Sequence, residues 1–179
     1  MNHLLSKIGS YPFEKLNLLH KDIKPSKDVI NLSIGEPKLN ADSKVLDILN
    51  KETNSFSNYP PMNAVPELSE AYRQYLKNHF GIENVAEDEV CLVAGTREGT
   101  FSIIQALFNK ENVKEKPYVV MPNPFYQIYG GATTLAGGEA KFLDCPEEDN
   151  FQPDLDSLKS EDWQKCQILV LCSPNNPTG

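Results

Sequence analysis

The chain has 179 residues, of which 40% are hydrophobic and 23% charged, a composition that predicts a buried core and excludes wholesale disorder. Asp and Glu number 25 against 17 Lys and Arg, so the formal net charge is −8, which disfavours a surface for nucleic-acid phosphates. No apolar run reaches the roughly 20 residues that cross a bilayer, and no secretory signal opens the sequence. We therefore expect a cytoplasmic protein that binds neither nucleic acid nor membrane.

The cysteines and histidines predict neither a disulfide framework nor a metal site. The four cysteines form no C-x-x-C pair, and Cys91 and Cys172 lie inside apolar runs. The three histidines are scattered without metal-ligand spacing. We expect buried thiols of the kind found in cytosolic proteins.

The first part of the chain predicts an arm followed by helices. Residues 1–33 mix polar and apolar types and predict an arm with one short helix near Pro12–His20. Residues 28–33 alternate in part and run into a Gly-Glu-Pro turn at Gly35, which predicts a short strand. Residues 42–52 place their apolar side chains at helical spacing.

A longer amphipathic helix is predicted over Pro66–Phe80. Apolar and aromatic residues recur along one face at helical spacing. Pro66 suits the first turn of this helix, and Gly81 suits a C-terminal cap.

From residue 90 onward the pattern changes to short apolar runs separated by helix-length segments. Runs of this kind are typical of strands that are buried on both faces in a parallel sheet. We therefore predict an α/β fold with three layers, a mostly parallel sheet with helices on both faces, built from right-handed βαβ units. The predicted strands are residues 90–94, 118–121, 140–143 and 167–172, and the predicted helices are residues 97–109 and 126–136.

Residues 95–99 (Gly-Thr-Arg-Glu-Gly) follow the first run and open a predicted helix. The free N–H groups and dipole of a helix N-terminus suit a phosphate. The segment matches neither glycine-rich nucleotide motif, so by itself it is also typical of an ordinary strand-to-helix connection.

Three further segments combine turn residues with side chains suited to a ligand. Residues 123–129 (Asn-Pro-Phe-Tyr-Gln-Ile-Tyr) offer aromatic faces to a planar ring, although packing under a loop explains them equally well. Residues 173–179 (Ser-Pro-Asn-Asn-Pro-Thr-Gly) present side-chain amides on a turn rich in proline. Gly35-Glu36-Pro37 and Tyr59-Pro60-Pro61 are turn signals when taken alone.

In this order and spacing, the four segments resemble the fold-type I, class I/II pyridoxal-phosphate aminotransferases over nearly the whole chain. Ser-Pro-Asn-Asn-Pro-Thr-Gly is the most specific element. Asn-Pro-Phe-Tyr-Gln-Ile-Tyr, and Tyr-Pro-Pro followed by Pro-Glu-Leu, are similar to the bacterial N-succinyldiaminopimelate aminotransferase branch. The resemblance implies an arm and part of the small domain in residues 1–33, and the first half of the cofactor-binding large domain in residues 34–179.

The resemblance also implies a cofactor site for pyridoxal 5'-phosphate. Backbone N–H groups of Thr96 and Arg97 would bind the phosphate, and the hydroxyl of Thr96 would assist. Tyr126 would stack on the pyridine ring. Asn176 would donate to the phenolic oxygen and help to orient the substrate. The bonds before Pro124 and Pro177 match positions where relatives have cis peptides.

Two further residues and the reaction follow from the same resemblance. Tyr59 would reach across a homodimer interface to the phosphate of the neighbouring subunit, and Gly35 would lie beside the substrate carboxylate. The implied activity transfers an amino group between an amino acid and a 2-oxo acid, with N-succinyl-diaminopimelate and 2-oxoglutarate as the expected pair in lysine biosynthesis. A lyase or decarboxylase on the same fold is the alternative activity.

The sequence stops at Gly179, whereas members of the resembled family continue. Their later residues supply the lysine that forms the Schiff base, the acidic partner of the pyridine nitrogen and the substrate-binding arginine. No lysine in this sequence has a matching context. The resemblance therefore implies an N-terminal portion that is inactive alone, with a catalytically incompetent fragment as the alternative description.

The family's sheet order predicts that later strands lie between residues 90–94 and the other strands, which would leave apolar edges unpaired. We expect the isolated 179-residue chain to be poorly protected in hydrogen exchange, or to dimerise or swap in order to cover those edges. Sedimentation together with hydrogen exchange measures this. A well-protected monomer would contradict it.

Overall fold

The computed structural model describes residues 2–59, 65–109, 111 and 115–179. It divides into two compact units, one made of Tyr11–Leu92 and the other of Val93–Gly179 together with the first ten residues. We describe each unit by itself. The predicted domain boundary after residue 33 remains a prediction.

The unit Tyr11–Leu92 is helical in its described part. Helix α1 spans Pro12–His20, α2 spans Ser43–Lys51 and α3 spans Pro66–Phe80, as the spacing of apolar residues predicts. Asp42 begins α2 by accepting from the Lys44 amide at 2.8 Å. Gly81 ends α3 at φ 66°, and its amide donates to carbonyls of the last turn. The short 3₁₀ helices of this unit are Thr53–Ser57 and Glu87–Glu89.

The predicted strand at residues 28–33 is wrong. The segment is irregular, and Ile30 in its centre is 83% exposed. Asn31 instead accepts from the Ser33 amide at 2.9 Å in a local turn, which competes with extended backbone. Alternation alone does not make a strand, because the backbone of a strand needs a partner to bond with.

The sheet lies in the other unit. Among the described residues, β1 (Tyr118–Asn123), β2 (Glu139–Asp144) and β3 (Cys166–Leu169) form a parallel sheet in the order β2-β1-β3. Val119 pairs with Ala140 on one side and with Ile168 on the other. This arrangement confirms the α/β prediction for three of the four apolar runs.

The apolar composition of the central strand β1 follows from its burial on both faces. Val119, Val120 and Met121 are all fully buried, although neighbouring residues point to opposite faces of the sheet. A strand covered on both faces reads as a continuous apolar run. Val119 and Met121 pack with Phe108 and Tyr129 in the core cluster.

Three helices accompany this sheet: α4 (Thr96–Leu107), α5 (Ile128–Ala136) and α6 (Ser160–Lys165). The Gln105 side chain donates to the Ala132 carbonyl at 2.8 Å and so fixes α4 to α5. Short 3₁₀ helices lie at His3–Lys7, Glu147–Asp149 and Leu155–Ser157. No helix in the described ranges is both long and apolar enough to cross a membrane.

The predicted strand at residues 90–94 is also wrong. The segment is irregular and pairs with none of the strands of the described sheet. As a result Cys91 is exposed, which overturns the expectation that it is a buried thiol; Cys145, Cys166 and Cys172 are half-buried, and all four are free. The apolar run is real, but strand formation depends on a neighbour that the local sequence does not encode.

The close approach of Gly138 to Phe108 generates a stability prediction. A Cβ at Gly138 would lie 2.9 Å from Cε2 of Phe108 and closer still to Cζ. Because the Phe108 ring is part of the core, Gly138→Ala is expected to lower the free energy of unfolding by about 1–3 kcal/mol.

The matched control is Gly131→Ala, since a Cβ there meets nothing within 4 Å and alanine is favoured over glycine inside a helix. Urea unfolding of both variants measures the difference. Equal urea midpoints for the two variants would show that the core around Phe108 has room for the added methyl group, which would contradict the structure.

Candidate functional site

The loops that follow β1 and β3 leave the sheet at the same edge, because neighbouring parallel strands end on the same side. The loop after β1 carries Tyr126, and the chain after β3 carries Asn176. The amide of Val170 donates to the Val120 carbonyl at 2.9 Å, so backbone pairing continues beyond β3 towards this edge. The segments that carry two of the predicted site residues therefore leave the sheet at one edge.

The prolines of both loops have the predicted backbone geometry. The bonds Asn123-Pro124 and Asn176-Pro177 are cis, as the resemblance implies. Ser173-Pro174 is also cis, which was not predicted.

Tyr126 lies at the entrance to α5, and its side chain is half-buried. Its ring meets that of Tyr129 at a centroid distance of 5.7 Å and an interplanar angle of 88°. Edge-to-face contacts of this type are favourable for aromatic rings. The contact holds the Tyr126 ring against the core while leaving part of it accessible to a ligand.

Tyr129 is the buried neighbour of Tyr126. Burial, and then charge interaction with Cys172, raise the pKa of the Tyr129 phenol above its ordinary value. The Cys172 thiol itself donates to the Pro174 carbonyl at 3.2 Å. Sequence reasoning missed the contact between the Tyr126 and Tyr129 rings. The available signal was the i, i+3 spacing of the two residues.

The N-terminus of α4 offers donors for an anion. Gly95 precedes it at φ 103° and ψ 147°, and Thr96 is its first residue. The Gly99 amide donates to the Gly95 carbonyl at 3.1 Å, so the amides of Thr96 and Arg97 come before the first helical hydrogen bond. Both residues are exposed, and their N–H groups suit a phosphate.

These three places belong to one unit, and α4 and α5 are fixed to each other through Gln105 and Ala132. Tyr59 and Gly35 lie in the other compact unit, where Tyr59 is 100% exposed. Their roles remain predictions. The two prolines that follow Tyr59 lie outside the described residues.

An unsatisfied acceptor lies next to Asn176. The Asn175 amide nitrogen donates to the Thr178 hydroxyl at 2.7 Å, while its buried Oδ1 has no partner among the described residues. The side chain lines a cavity of about 200 Å³ together with Pro122, Phe151, Leu171 and Ser173. One buried acceptor beside this cavity, Asn175 Oδ1, therefore has no hydrogen-bond partner within the described chain.

The donor set fits a phosphorylated planar ring better than a metal. Helix amides bind a dianion, an aromatic face covers a flat ring, and side-chain amides contact polar ring substituents. Within the described residues no group of His, Cys, Asp and Glu side chains is arranged to hold a metal ion.

Comparison with known proteins identifies the family to which the chain is similar. The model of the family described as aminotransferase class I and II matches residues 27–179. LL-diaminopimelate aminotransferase of Natranaerobius thermophilus is 28% identical over 98% of this chain and 45% of its own length. Transaminase BacF of Bacillus subtilis is 28% identical over 96% of this chain and 43% of its own length.

Solved structures agree with the sequence matches. An aminotransferase from Neisseria meningitidis superposes with a TM-score of 0.89 at 39% identity, covering 99% of this chain and 45% of that one. The aminotransferase AspB of Helicobacter pylori gives a TM-score of 0.85 at 35% identity, with coverages of 96% and 44%. The chain thus spans less than half the length of the curated relatives that it matches.

The backbone at Gly95 generates a prediction for the first turn of α4. Its φ of 103° lies in a region where a side chain costs about 1–3 kcal/mol. Gly95→Ala is expected to weaken the bond from the Gly99 amide to the Gly95 carbonyl and to speed hydrogen exchange of that amide. Gly131→Ala is the control, because Gly131 lies in α5 and has no positive φ. This variant should leave the exchange rate of the Gly99 amide unchanged. An unaltered Gly99 amide in the Gly95 variant would contradict the assigned backbone geometry.

Proposed function

Because the chain belongs to the aminotransferase class I and II family, we propose that the full-length protein transfers an amino group between an amino acid and a 2-oxo acid. Members of this family depend on pyridoxal phosphate. The observation that supports the proposal is that β1 and β3, which the segments carrying Tyr126 and Asn176 follow, end at one edge of the sheet, in the unit that also contains the helix opening at Thr96. We further propose a cytoplasmic homodimer.

In this proposal the residues of the described chain hold the cofactor. The amides of Thr96 and Arg97 bind the phosphate, Tyr126 covers one face of the ring, and Asn176 donates to the phenolic oxygen. When bound, the pyridoxal ring supplies an electron sink for negative charge at the α-carbon of the substrate.

The protein's contribution is binding and orientation. The helix N-terminus fixes the dianion through a site that needs no side-chain charge. The Tyr126 ring excludes water from the face that it covers. The Asn176 amide stabilises negative charge on the phenolic oxygen, and its second donor hydrogen is available to a substrate carboxylate. Gly35 lies beside that carboxylate, and Tyr59 binds the phosphate of the neighbouring subunit.

For the substrate, we propose an amino acid of the diaminopimelate class, with N-succinyl-diaminopimelate and 2-oxoglutarate as the first pair to test and lysine biosynthesis as the setting. Two observations support it. The Asn-Pro-Phe-Tyr-Gln-Ile-Tyr segment is similar to the N-succinyl branch. Several curated relatives are named LL-diaminopimelate aminotransferases, while others are named aspartate aminotransferases.

The assay uses full-length protein with pyridoxal phosphate, 2-oxoglutarate and three donors in parallel: N-succinyl-diaminopimelate, LL-diaminopimelate and aspartate. We expect glutamate to form, with the highest kcat/KM for N-succinyl-diaminopimelate. A higher value for another donor would overturn the substrate proposal alone. Formation of carbon dioxide or ammonia without glutamate would replace the aminotransferase by a decarboxylase or a lyase.

The role of Tyr126 is tested by a pair of substitutions. Tyr126→Leu removes the aromatic face and is expected to raise the Kd for pyridoxal phosphate about tenfold, whereas Tyr126→Phe keeps the ring and should stay within about twofold of wild type. Spectrophotometric titration of the cofactor-free protein measures both. Equal Kd values for the two variants would remove Tyr126 from the site.

A further inference from the structure

The turn that contains Asn176 is closed by the residue immediately before it. We propose that Asn175 is a positioning residue, which holds residues 175–179 in one shape and so fixes where the Asn176 side chain lies relative to the cofactor ring. This inference rests on the proposed function and adds to it a residue that acts through its neighbour without touching the cofactor.

Asn175 closes the turn with its backbone and with its side chain. Its carbonyl accepts from the Gly179 amide at 2.7 Å, and its side-chain nitrogen donates to the Thr178 hydroxyl at 2.7 Å. Both distances are those of well-formed N–H···O hydrogen bonds. The two bonds span Asn176 and Pro177, so the chain that follows Asn176 is tied back to the residue that precedes it.

The chain that leads into the turn is tied to the sheet. The Val170 amide donates to the Val120 carbonyl at 2.9 Å, which extends backbone pairing beyond β3. The Cys172 thiol then donates to the Pro174 carbonyl at 3.2 Å. The turn therefore begins from a backbone that the central strand holds, and the bonds of Asn175 extend this order past Asn176.

The two neighbouring amide side chains have different surroundings. Asn176 is exposed, so a ligand can reach its side chain, whereas Asn175 is half-buried. The Oδ1 atom of Asn175 is buried without a partner among the described residues, an arrangement that lowers stability. The side-chain bond that the described structure does give Asn175 is the one that closes the turn. Asn175 thus serves the turn, and Asn176 is left for the ligand.

A closed turn favours binding because it is ordered before the ligand arrives. Fixing a flexible segment costs conformational entropy, and a segment that is ordered only on binding subtracts this cost from the affinity. If the bonds of Asn175 are lost, we expect the turn to open more often and Asn176 to spend less time in the orientation that meets the ring.

The test uses the full-length protein and substitutions at both ends of the side-chain bond. Asn175→Ala removes the donor. Thr178→Val removes the hydroxyl that accepts from it, whereas Thr178→Ser keeps that hydroxyl. Thr134→Val is the matched control: it makes the same chemical change in α5, where the Thr134 hydroxyl donates to the Gly130 carbonyl at 3.0 Å.

The first readout needs no cofactor. It is the hydrogen exchange rate of the Gly179 amide in the cofactor-free protein, measured by mass spectrometry with fragmentation of the peptide. Loss of one hydrogen bond of ordinary strength is expected to raise this rate about fivefold in Asn175→Ala and in Thr178→Val. Thr178→Ser and Thr134→Val should exchange at the wild-type rate.

The second readout is the Kd for pyridoxal phosphate together with the visible circular dichroism of the bound cofactor. We expect Asn175→Ala and Thr178→Val to raise the Kd by about three- to tenfold and to reduce the signal. Thr178→Ser and Thr134→Val should retain the wild-type Kd and signal.

A double variant separates positioning from a general loss of structure. Asn176→Ala/Thr178→Val should have the same Kd as Asn176→Ala alone, because the turn acts on the cofactor only through Asn176. A general loss of structure would raise the Kd further in the double variant.

The outcomes separate the two levels of the proposal. If wild-type protein binds no pyridoxal phosphate, the proposed function fails. If wild-type protein binds it while Thr178→Val keeps the wild-type Kd and signal, the positioning role is overturned, whatever the exchange rate. Equal losses in Thr178→Val and Thr178→Ser, or a further rise of the Kd in the double variant, also overturn it. Should Asn175→Ala fail to fold, the two Thr178 variants decide by the same criteria.

Discussion

Parallel pairing of β1 with strands on both sides is the constraint on which the described site depends. Val119 bonds in register between Ala140 and Ile168, so β1 and β3 must end at the same edge. Only this arrangement brings the chain after Asn123 and the chain that leads to Asn176 to one place. Burial of the central strand on both faces stabilises the pairing, and the topology brings the segments that carry the proposed ligand-binding residues to one edge.

Local signals in the sequence were sufficient for helices α1 to α5 and for the central strand, whereas α6 was not predicted. Helix α3 begins at Pro66 and ends before Gly81, because each residue suits one end of a helix and opposes its continuation. The continuous run at β1 predicted a strand covered on both faces, and the structure shows one. These elements were predictable because their signals, periodicity and terminal residues, lie within the elements themselves.

Non-local pairing was not predictable from the same signals. Residues 90–94 have the apolar pattern of a buried strand but pair with no strand of the described sheet, and residues 28–33 form a local turn around Asn31. The packing of Tyr129 with Phe108, Val119 and Met121 joins a helix to distant parts of the chain, so no local window contains it. Motif spacing pointed to Tyr126 and Asn176, whereas the contact of Tyr129 with the Tyr126 ring emerged only from packing.

The central claim is that the N-terminus of α4, the Tyr126 ring and Asn176 form one cofactor site. A crystal structure of the full-length protein with pyridoxal phosphate tests it most directly. The account predicts phosphate oxygens at about 3 Å from the amides of Thr96 and Arg97, with the ring against Tyr126 and its phenolic oxygen beside Asn176. Electron density that places the phosphate at any other helix, or the ring away from Tyr126, would contradict it.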